Sequence, residues 1–190
     1  MDPTSPKTAT EDFDLLARAH KGDALAARLL VMRLSPQAHQ LAWRMLGDAA
    51  LAEDVVQEAL EKLFRIRQYQ GDARLSTYFH TMVSRLCLDR SRALDPVRYD
   101  SELVDESLVP DPNLNPEQST ARDQQSSRLQ KAMTALPPRQ RMALSLWAYQ
   151  DSSVTEIAEV LGMERNATDQ ILYRAKANLK KILEADHEPR

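Results

Sequence analysis

The chain has 190 residues, of which 43% are hydrophobic, 5% aromatic and 28% charged, and its formal net charge is −3 at pH 7. This length allows one domain or two small ones. Only four glycines are present, which argues against a sandwich or barrel with many tight turns and favours helices. The slightly negative total excludes a uniformly basic nucleic-acid-binding surface but leaves room for a local one.

The amino terminus predicts neither secretion nor membrane insertion. Residues 1–10 are rich in Pro, Thr and Ser, and we expect a disordered tail. No apolar signal-peptide core and no run of about 18 apolar residues occurs, so we expect a cytoplasmic protein. The single cysteine, Cys87, lies on an apolar helical face in "VSRLCLDR", and we expect a buried thiol there.

Residues 11–92 predict a first helical domain. Apolar residues recur every three to four positions on either side of "KGD", which predicts two helices separated by Gly22, with Asp23 as an N-cap. Gly47 then ends a helix and Asp48 caps the next. That next helix has one apolar stripe, formed by Leu51, Val55, Ala59, Leu60, Leu63 and Phe64.

The other face of this helix is acidic. It carries Glu53, Asp54, Gln57, Glu58 and Glu61. On spacing alone, a solvated helix surface explains these residues, because acids near a helix amino terminus are favoured by the helix dipole.

The charge changes sign in the following segment, where residues 62–92 contain seven Lys or Arg against two Asp. Tyr69, Tyr78 and Phe79 are interspersed with these cations. A basic groove with aromatic faces suits unpaired DNA, because bases stack on rings and phosphates require cations. Burial in a core is the alternative for Phe79 and for Tyr78.

Residues 93–120 differ in composition, with four prolines and seven acids against one arginine. This composition predicts a linker. A second helical domain, residues 121–190, then ends in a helix-turn-helix pattern, "SVTEIAEVLGMERNATDQILYRAK". Ala158 is small where the two helices cross, and Gly162 tolerates the positive φ of the turn. Asn166 is the expected N-cap of the second helix.

These segments together resemble the extracytoplasmic-function (ECF) group of the sigma-70 family of bacterial RNA polymerase sigma factors. The resemblance rests on "KGD", "LGDAALAEDVVQEALEKLF", "YFHTMVSRLCLDRSR" and "LPPRQRMALSLWAYQDSSVTEIAEVLGMERNATDQILYRAKANLKKIL". It implies an all-α protein of two helical domains joined by the acidic linker. It also implies a transcription-initiation subunit without catalytic activity, metal or cofactor.

The resemblance assigns roles by position. Glu53, Asp54, Gln57, Glu58 and Glu61 would bind the clamp helices of the largest polymerase subunit, and the second domain would contact the flap region of the second subunit. Minus-10 DNA would contact Arg74, Ser76, Tyr78, Arg85, Arg90 and Arg92, with flipped bases held by the loop "QYQGDARLS". Minus-35 DNA would contact Arg165, Asn166, Ala167, Thr168, Asp169, Gln170, Arg174 and Lys176. An anti-sigma factor is the expected regulatory partner, and the linker would occupy the polymerase channel or act as a passive spacer.

Tyr78 and Phe79 stand where the family usually has Trp and Leu, a change that keeps an aromatic ring, and three further positions depart from the family pattern. Arg85 stands where Asn is usual, while Asp169 and Ile171 replace basic residues of the recognition helix. Asp169 can accept a hydrogen bond from a cytosine amino group, and Gln170 can pair with adenine. We therefore expect an unusual minus-35 sequence rather than loss of DNA binding.

Other functions remain open on the sequence. A polymerase-independent helix-turn-helix regulator would leave the amino-terminal pattern unexplained. An enzyme is disfavoured, because no phosphate-binding glycine loop occurs and His20, His39, His80 and His187 lack metal-ligand spacing. The sequence also leaves open the promoter, the activating signal and whether the two domains pack together.

Overall fold

The computed structural model describes residues 6–66, 74–96 and 121–185, with side chains from residue 11 in the first range and from residue 127 in the last. Its regular structure in these ranges is entirely α-helical, as predicted. The helices are α1 (Pro6–His20), α2 (Ala24–Leu46), α3 (Ala49–Arg65), α4 (Leu75–Leu94), α5 (Ala121–Ala135), α6 (Pro138–Tyr149), α7 (Val154–Leu161) and α8 (Arg165–Ala185).

Two predicted boundaries differ from the structure. Helix α1 begins at Pro6, inside the segment that we expected to be a disordered tail. Helix α4 continues to Leu94, two residues into the expected linker. Residues 97–120 of the expected linker lie outside the described residues.

The predicted caps of the amino-terminal domain, α1–α4, are confirmed. The Asp23 carboxylate accepts hydrogen bonds from the backbone N–H groups of Leu25 and Ala26 at 3.0 Å. Gly47 ends α2 with a φ of 68°, a left-handed conformation that glycine adopts without steric cost. Asp48 accepts from the Leu51 N–H at 2.9 Å and so starts α3 in a new direction.

The amino-terminal domain packs its helices around a continuous apolar core. Val55, Ala59 and Leu63 of the predicted α3 stripe are fully buried. Cys87 of α4 is also fully buried, as predicted, and so is Phe79, which decides for core packing between the two alternatives for that ring. Burial raises the pKa of the Cys87 thiol to about 12, so the sulfur is a packing group at neutral pH.

The carboxy-terminal domain, α5–α8, contains the predicted helix-turn-helix. Ser153 and Glu156 form a reciprocal capping box at the start of α7, which satisfies two otherwise unpaired backbone donors. Gly162 ends α7 with a φ of 64°, and α8 begins three residues later. Ala158, which the sequence predicts to be small for the helix crossing, is buried.

The two domains pack against each other, which the sequence left open. Helix α2 contacts α5 and α6, and α4 contacts α6 and α7. The apolar core is shared, since Met142 and Leu146 of α6 and Ile157 of α7 belong to the same buried cluster as Phe79 and Leu63. The described residues therefore form one closed arrangement of both domains.

Candidate functional site

The acidic face of α3 is exposed to solvent. Glu53, Asp54, Gln57 and Glu61 are exposed and Glu58 is half-buried, so the closed arrangement leaves this face accessible. The face is also locally ordered. Gln57 Nε2 donates to Glu53 Oε1 at 2.9 Å, and His39 Nε2 lies 2.5 Å from Glu53 Oε2. The hydrogen bond from Gln57, the larger effect, and the one with His39 both lower the pKa of Glu53.

The carboxyl end of this face carries ion pairs rather than isolated charges. Glu58 contacts Lys62 at 2.8 Å, and Glu61 contacts Arg65 at 3.1 Å. These pairs have exposed partners and contribute little to stability. They fix the direction of the carboxylates without burying them.

Helix α4 places part of the predicted minus-10 set on an accessible surface. Arg74, Arg85 and Arg92 are exposed, whereas Ser76 and Tyr78 are half-buried. Residues 68–73 of the predicted base-flipping loop lie outside the described residues. Helix α4 therefore combines accessible cations with an aromatic side chain that is half-buried beside the core.

The residues of the helix-turn-helix do not all reach the surface as predicted. Helix α8 begins at Arg165, and the Thr168 N–H donates to the Glu164 carbonyl at 3.0 Å. Glu164 therefore occupies the N-cap position, and the prediction of Asn166 as N-cap is wrong. Thr168 is fully buried, with its hydroxyl donating to the Glu164 carbonyl at 3.1 Å, so its predicted contact with DNA is wrong too.

The exposed face of α8 still presents a continuous polar surface. Its first turns expose Arg165, Asn166, Asp169 and Gln170, while Ala167 and Arg174 are half-buried. Asp169, Gln170, Tyr173 and Arg174 together line an open depression. Positions three and four apart share one helix face, so these side chains can face the same stretch of DNA.

Sequence reasoning missed Tyr173, whose side chain is 77% exposed beside Asp169 and Gln170. The signal was present in the spacing, because Tyr173 follows Asp169 by four residues and Gln170 by three. Lys176 was predicted to contact DNA, and its ammonium lies 3.5 Å from the centroid of the Trp147 ring. This cation–π contact holds Lys176 against α6.

No group of three or more His, Cys, Asp or Glu within the described parts of the chain could hold a metal ion. His80 is buried, and burial lowers its pKa to about 4. Gln150 Nε2 lies 2.8 Å from His80 Nδ1. Because an amide nitrogen only donates, Nδ1 accepts and the proton of the neutral ring resides on Nε2.

Two family models match the chain, one on each domain. Sigma-70 region 2 matches residues 30–96, and Sigma-70 region 4 matches residues 126–179. The ECF RNA polymerase sigma factor SigM of Mycobacterium tuberculosis is 30% identical over 173 residues, covering 90% of this chain and 84% of that protein. This chain belongs to the ECF group of the sigma-70 family. As a sigma factor it binds core RNA polymerase and promoter DNA and is not an enzyme.

Other similar proteins agree with this assignment. The ECF sigma factor SigE of Mycolicibacterium smegmatis is 28% identical, covering 96% of this chain and 70% of that protein. The solved structure of the sigma factor RpoE in complex with the anti-sigma factor NepR from Bartonella quintana has a TM-score of 0.61 and 22% identity. It covers 84% of this chain and 98% of that chain. This likeness supports the helical fold. None of the described helices has the length and apolar character needed to cross a membrane.

Proposed function

We propose that this sigma factor docks on core RNA polymerase through the acidic face of α3. The residues are Glu53, Asp54, Gln57, Glu58 and Glu61, and the expected partner surface is the clamp helices of the largest subunit. One observation supports this most directly: the face is exposed and pre-ordered by His39 and Gln57. A pre-ordered face loses less side-chain entropy on binding than a flexible one.

The docking surface is tested by co-elution of the purified chain with core polymerase on a sizing column. We expect the Asp54→Lys/Glu58→Lys variant to lose co-elution, because charge reversal places cations where acids meet the polymerase. The matched control is Asp14→Lys/Glu184→Lys, which reverses two exposed acids elsewhere. Equal loss in both variants would refute the assignment to α3. No co-elution of the unmodified chain at low salt would favour a stand-alone DNA-binding regulator.

Minus-10 recognition is proposed for α4, through Arg74, Ser76, Tyr78, Arg85, Arg90 and Arg92. The accessible guanidinium groups can hold phosphates, and Tyr78 supplies an aromatic face. Flipping a base costs a few kcal/mol of unstacking, which such contacts must offset. The half-buried position of Tyr78 supports stacking by one face of its ring.

Minus-35 recognition is proposed for the exposed face of α8. Asp169, Gln170, Tyr173 and Arg174 line one depression, Arg165 and Asn166 are exposed in the first turn of the same helix, and Lys176 is included with them. Asp169 would accept from a cytosine amino group and Gln170 would pair with adenine. Tyr173 adds an apolar surface suited to a thymine methyl group. Thr168 is left out because it is buried. Ala167 has no polar side-chain atom, and its small side chain lets the helix backbone come close to the DNA.

Regulation by an anti-sigma factor is proposed from the structure of RpoE bound to NepR. The carboxy-terminal domain is also expected to contact the flap region of the second polymerase subunit. The protein would work in the cytoplasm, where core polymerase and promoter DNA are found.

A further inference from the structure

We infer that the solvent-facing side of α2 is a docking surface for a second protein that presents an acidic amphipathic helix. The surface is a row of apolar side chains with arginines on both flanks. None of its residues belongs to the faces of α3, α4 or α8 that are proposed above to bind polymerase and DNA. We call this row the α2 stripe, and it consists of Leu25, Leu29, Met32 and Pro36, with Trp43 two turns further on.

The α2 stripe is exposed although its side chains are apolar. Leu25 is 62% exposed and Met32 63%, while Leu29 and Trp43 are 41% and 42% exposed. Pro36 is exposed as well. The residues that α2 buries in the core lie on the other side of the helix. Single exposed apolar side chains are ordinary on a protein surface, whereas a continuous row of them marks an interaction site.

The spacing of the stripe is that of a seam between two helices. Its first four residues follow one another at intervals of four, three and four positions, which is the repeat by which one helix packs along another. The row from Leu25 to Pro36 is about 17 Å long at about 1.5 Å per residue. It therefore offers roughly three turns of contact to a partner helix that lays its apolar side chains along α2.

The flanks of the stripe are cationic. If Leu29 is an a position of the seven-residue repeat and Met32 a d position, Arg28 and Arg33 occupy the g and e positions on either side of the seam. Arg28 is exposed and makes no ion pair within the described part of the chain, whereas Arg33 is shared with Asp12 of α1. Helix α2 itself contains no Asp or Glu. A partner helix with acids beside its own apolar row would match this charge pattern.

The same charges argue against two other occupants. In a pair of α2 helices from two copies of this chain, arginines would face arginines across the seam in either orientation, which destabilises the pair. A bilayer of anionic lipids would also meet the acidic face of α3, because His39, the next position along the seam, contacts Glu53. A single helix is narrow enough to lie on α2 alone.

The test uses the full chain and two synthetic peptides of three heptads each. Both peptides have leucine at the a and d positions, one with Glu and the other with Lys at every e and g position. Binding is followed by fluorescence anisotropy of the labelled peptide. The stripe variant is Leu25→Gln/Met32→Gln. Its matched control is Leu94→Gln/Leu129→Gln, which changes two leucines that are exposed outside α2.

We expect the acidic peptide to bind the unmodified chain and the control equally, and the stripe variant at least about tenfold more weakly, because the most exposed apolar contacts are lost. Arg28→Glu should weaken binding of the acidic peptide by roughly three- to tenfold and strengthen binding of the basic one. The thermal midpoints of the variants should agree within about 2 °C, as for other surface substitutions. A fall in affinity then reports the docking surface and not misfolding.

The natural occupant is identified by a photo-crosslinking amino acid placed at Met32 of the full chain in growing cells. We expect a crosslink to an acidic amphipathic helix of another protein, and a weaker one when Arg28→Glu is added. The control probe is at Gln37, which is exposed and off the stripe.

Several results would overturn the inference. One is equal weakening of the acidic peptide by the stripe variant and its control, and another is a preference of the unmodified chain for the basic peptide. In cells, the contrary results are a crosslink to a second copy, to residues 97–120 of the same chain, to polymerase or to lipid, or no crosslink above that of the Gln37 probe. The stripe variant should still co-elute with core polymerase, so failure of docking through α3 is a separate result.

Discussion

The carboxylate of Glu58 on α3 lies 3.7 Å from the guanidinium of Arg90 on α4. A residue of the proposed polymerase-binding face therefore touches a residue of the proposed minus-10 surface. Both side chains are about 40% exposed, so the pair adds little to folding stability. The ion pair matters because of where it lies: it joins the surface proposed to bind polymerase to the surface proposed to bind minus-10 DNA, and these two surfaces act in successive steps of initiation.

Replacing Arg90 should separate these steps. We expect Arg90→Gln to change the free energy of unfolding by less than about 1 kcal/mol, as for other surface ion pairs. The variant should still co-elute with core polymerase but open promoter DNA less well, as measured by reactivity of unpaired thymines. Glu58 retains Lys62 at 2.8 Å in this variant. Loss of co-elution would contradict the division of roles.

Replacing Asp169 and Gln170 should relax base preference in the minus-35 element. We expect Asp169→Ala and Gln170→Ala each to lower discrimination at one base pair by about 5- to 150-fold, since a well-placed base contact is worth about 1–3 kcal/mol. The measurement is selection of bound promoters from a library randomised at the minus-35 element. Glu164→Ala, which alters an exposed acid just before α8, is the control. Unchanged selected sequences would show that neither side chain reads a base.

Truncation of Tyr173 should weaken binding without loosening the fold. The side chain is 77% exposed, so we expect Tyr173→Ala to leave the thermal midpoint within about 2 °C, as surface substitutions usually do. Affinity of the holoenzyme for promoter DNA should fall, and Tyr173→Phe should retain it if the ring supplies an apolar contact. A large fall in the thermal midpoint of Tyr173→Ala would assign the ring to packing.

Protonation of His80 should destabilise the folded chain in mild acid. Burial lowers the pKa of His80 to about 4 from an ordinary 6.5, so between these values the unfolded chain binds a proton that the folded chain does not. The stability contributed by neutral His80 is complete above pH 6.5 and falls as the pH drops towards 4, by about 3 kcal/mol in all. His80→Gln should remove this part of the pH dependence in chemical denaturation. If the free energy of unfolding changed with pH in the same way in the variant and in the unmodified protein, the burial of a neutral His80 ring would be contradicted.

Local chemistry explains which features of the fold the sequence could predict. Asp23 acts through a carboxylate that reaches backbone N–H groups two and three residues away, and Gly47 and Gly162 act through their own backbone geometry, so these roles follow from neighbouring residues. The position of Thr168 depends on where α8 begins. The expectation of Asn166 as N-cap followed the usual preference of residue types, whereas the helix begins one residue earlier, at Arg165.

Contacts across the domains were beyond sequence reasoning. The spacing of apolar residues around Arg141 predicts a helix. It gives no indication that the Arg141 guanidinium donates a hydrogen bond to the Met45 carbonyl of the other domain. Gln130 and Gln150 are ordinary polar residues until their partners in the other domain are known. For the proposed sites, the acidic and basic faces could be predicted from the chain, whereas the exposure of Tyr173 required the packed arrangement.

Burial of Cys87 determines what kind of signal the chain can sense. Oxidants and electrophiles attack thiolates, but the pKa of this thiol is about 12 and its side chain is fully enclosed. It is also the only cysteine in the chain. Cys87 therefore offers oxidants and electrophiles no exposed thiolate at neutral pH.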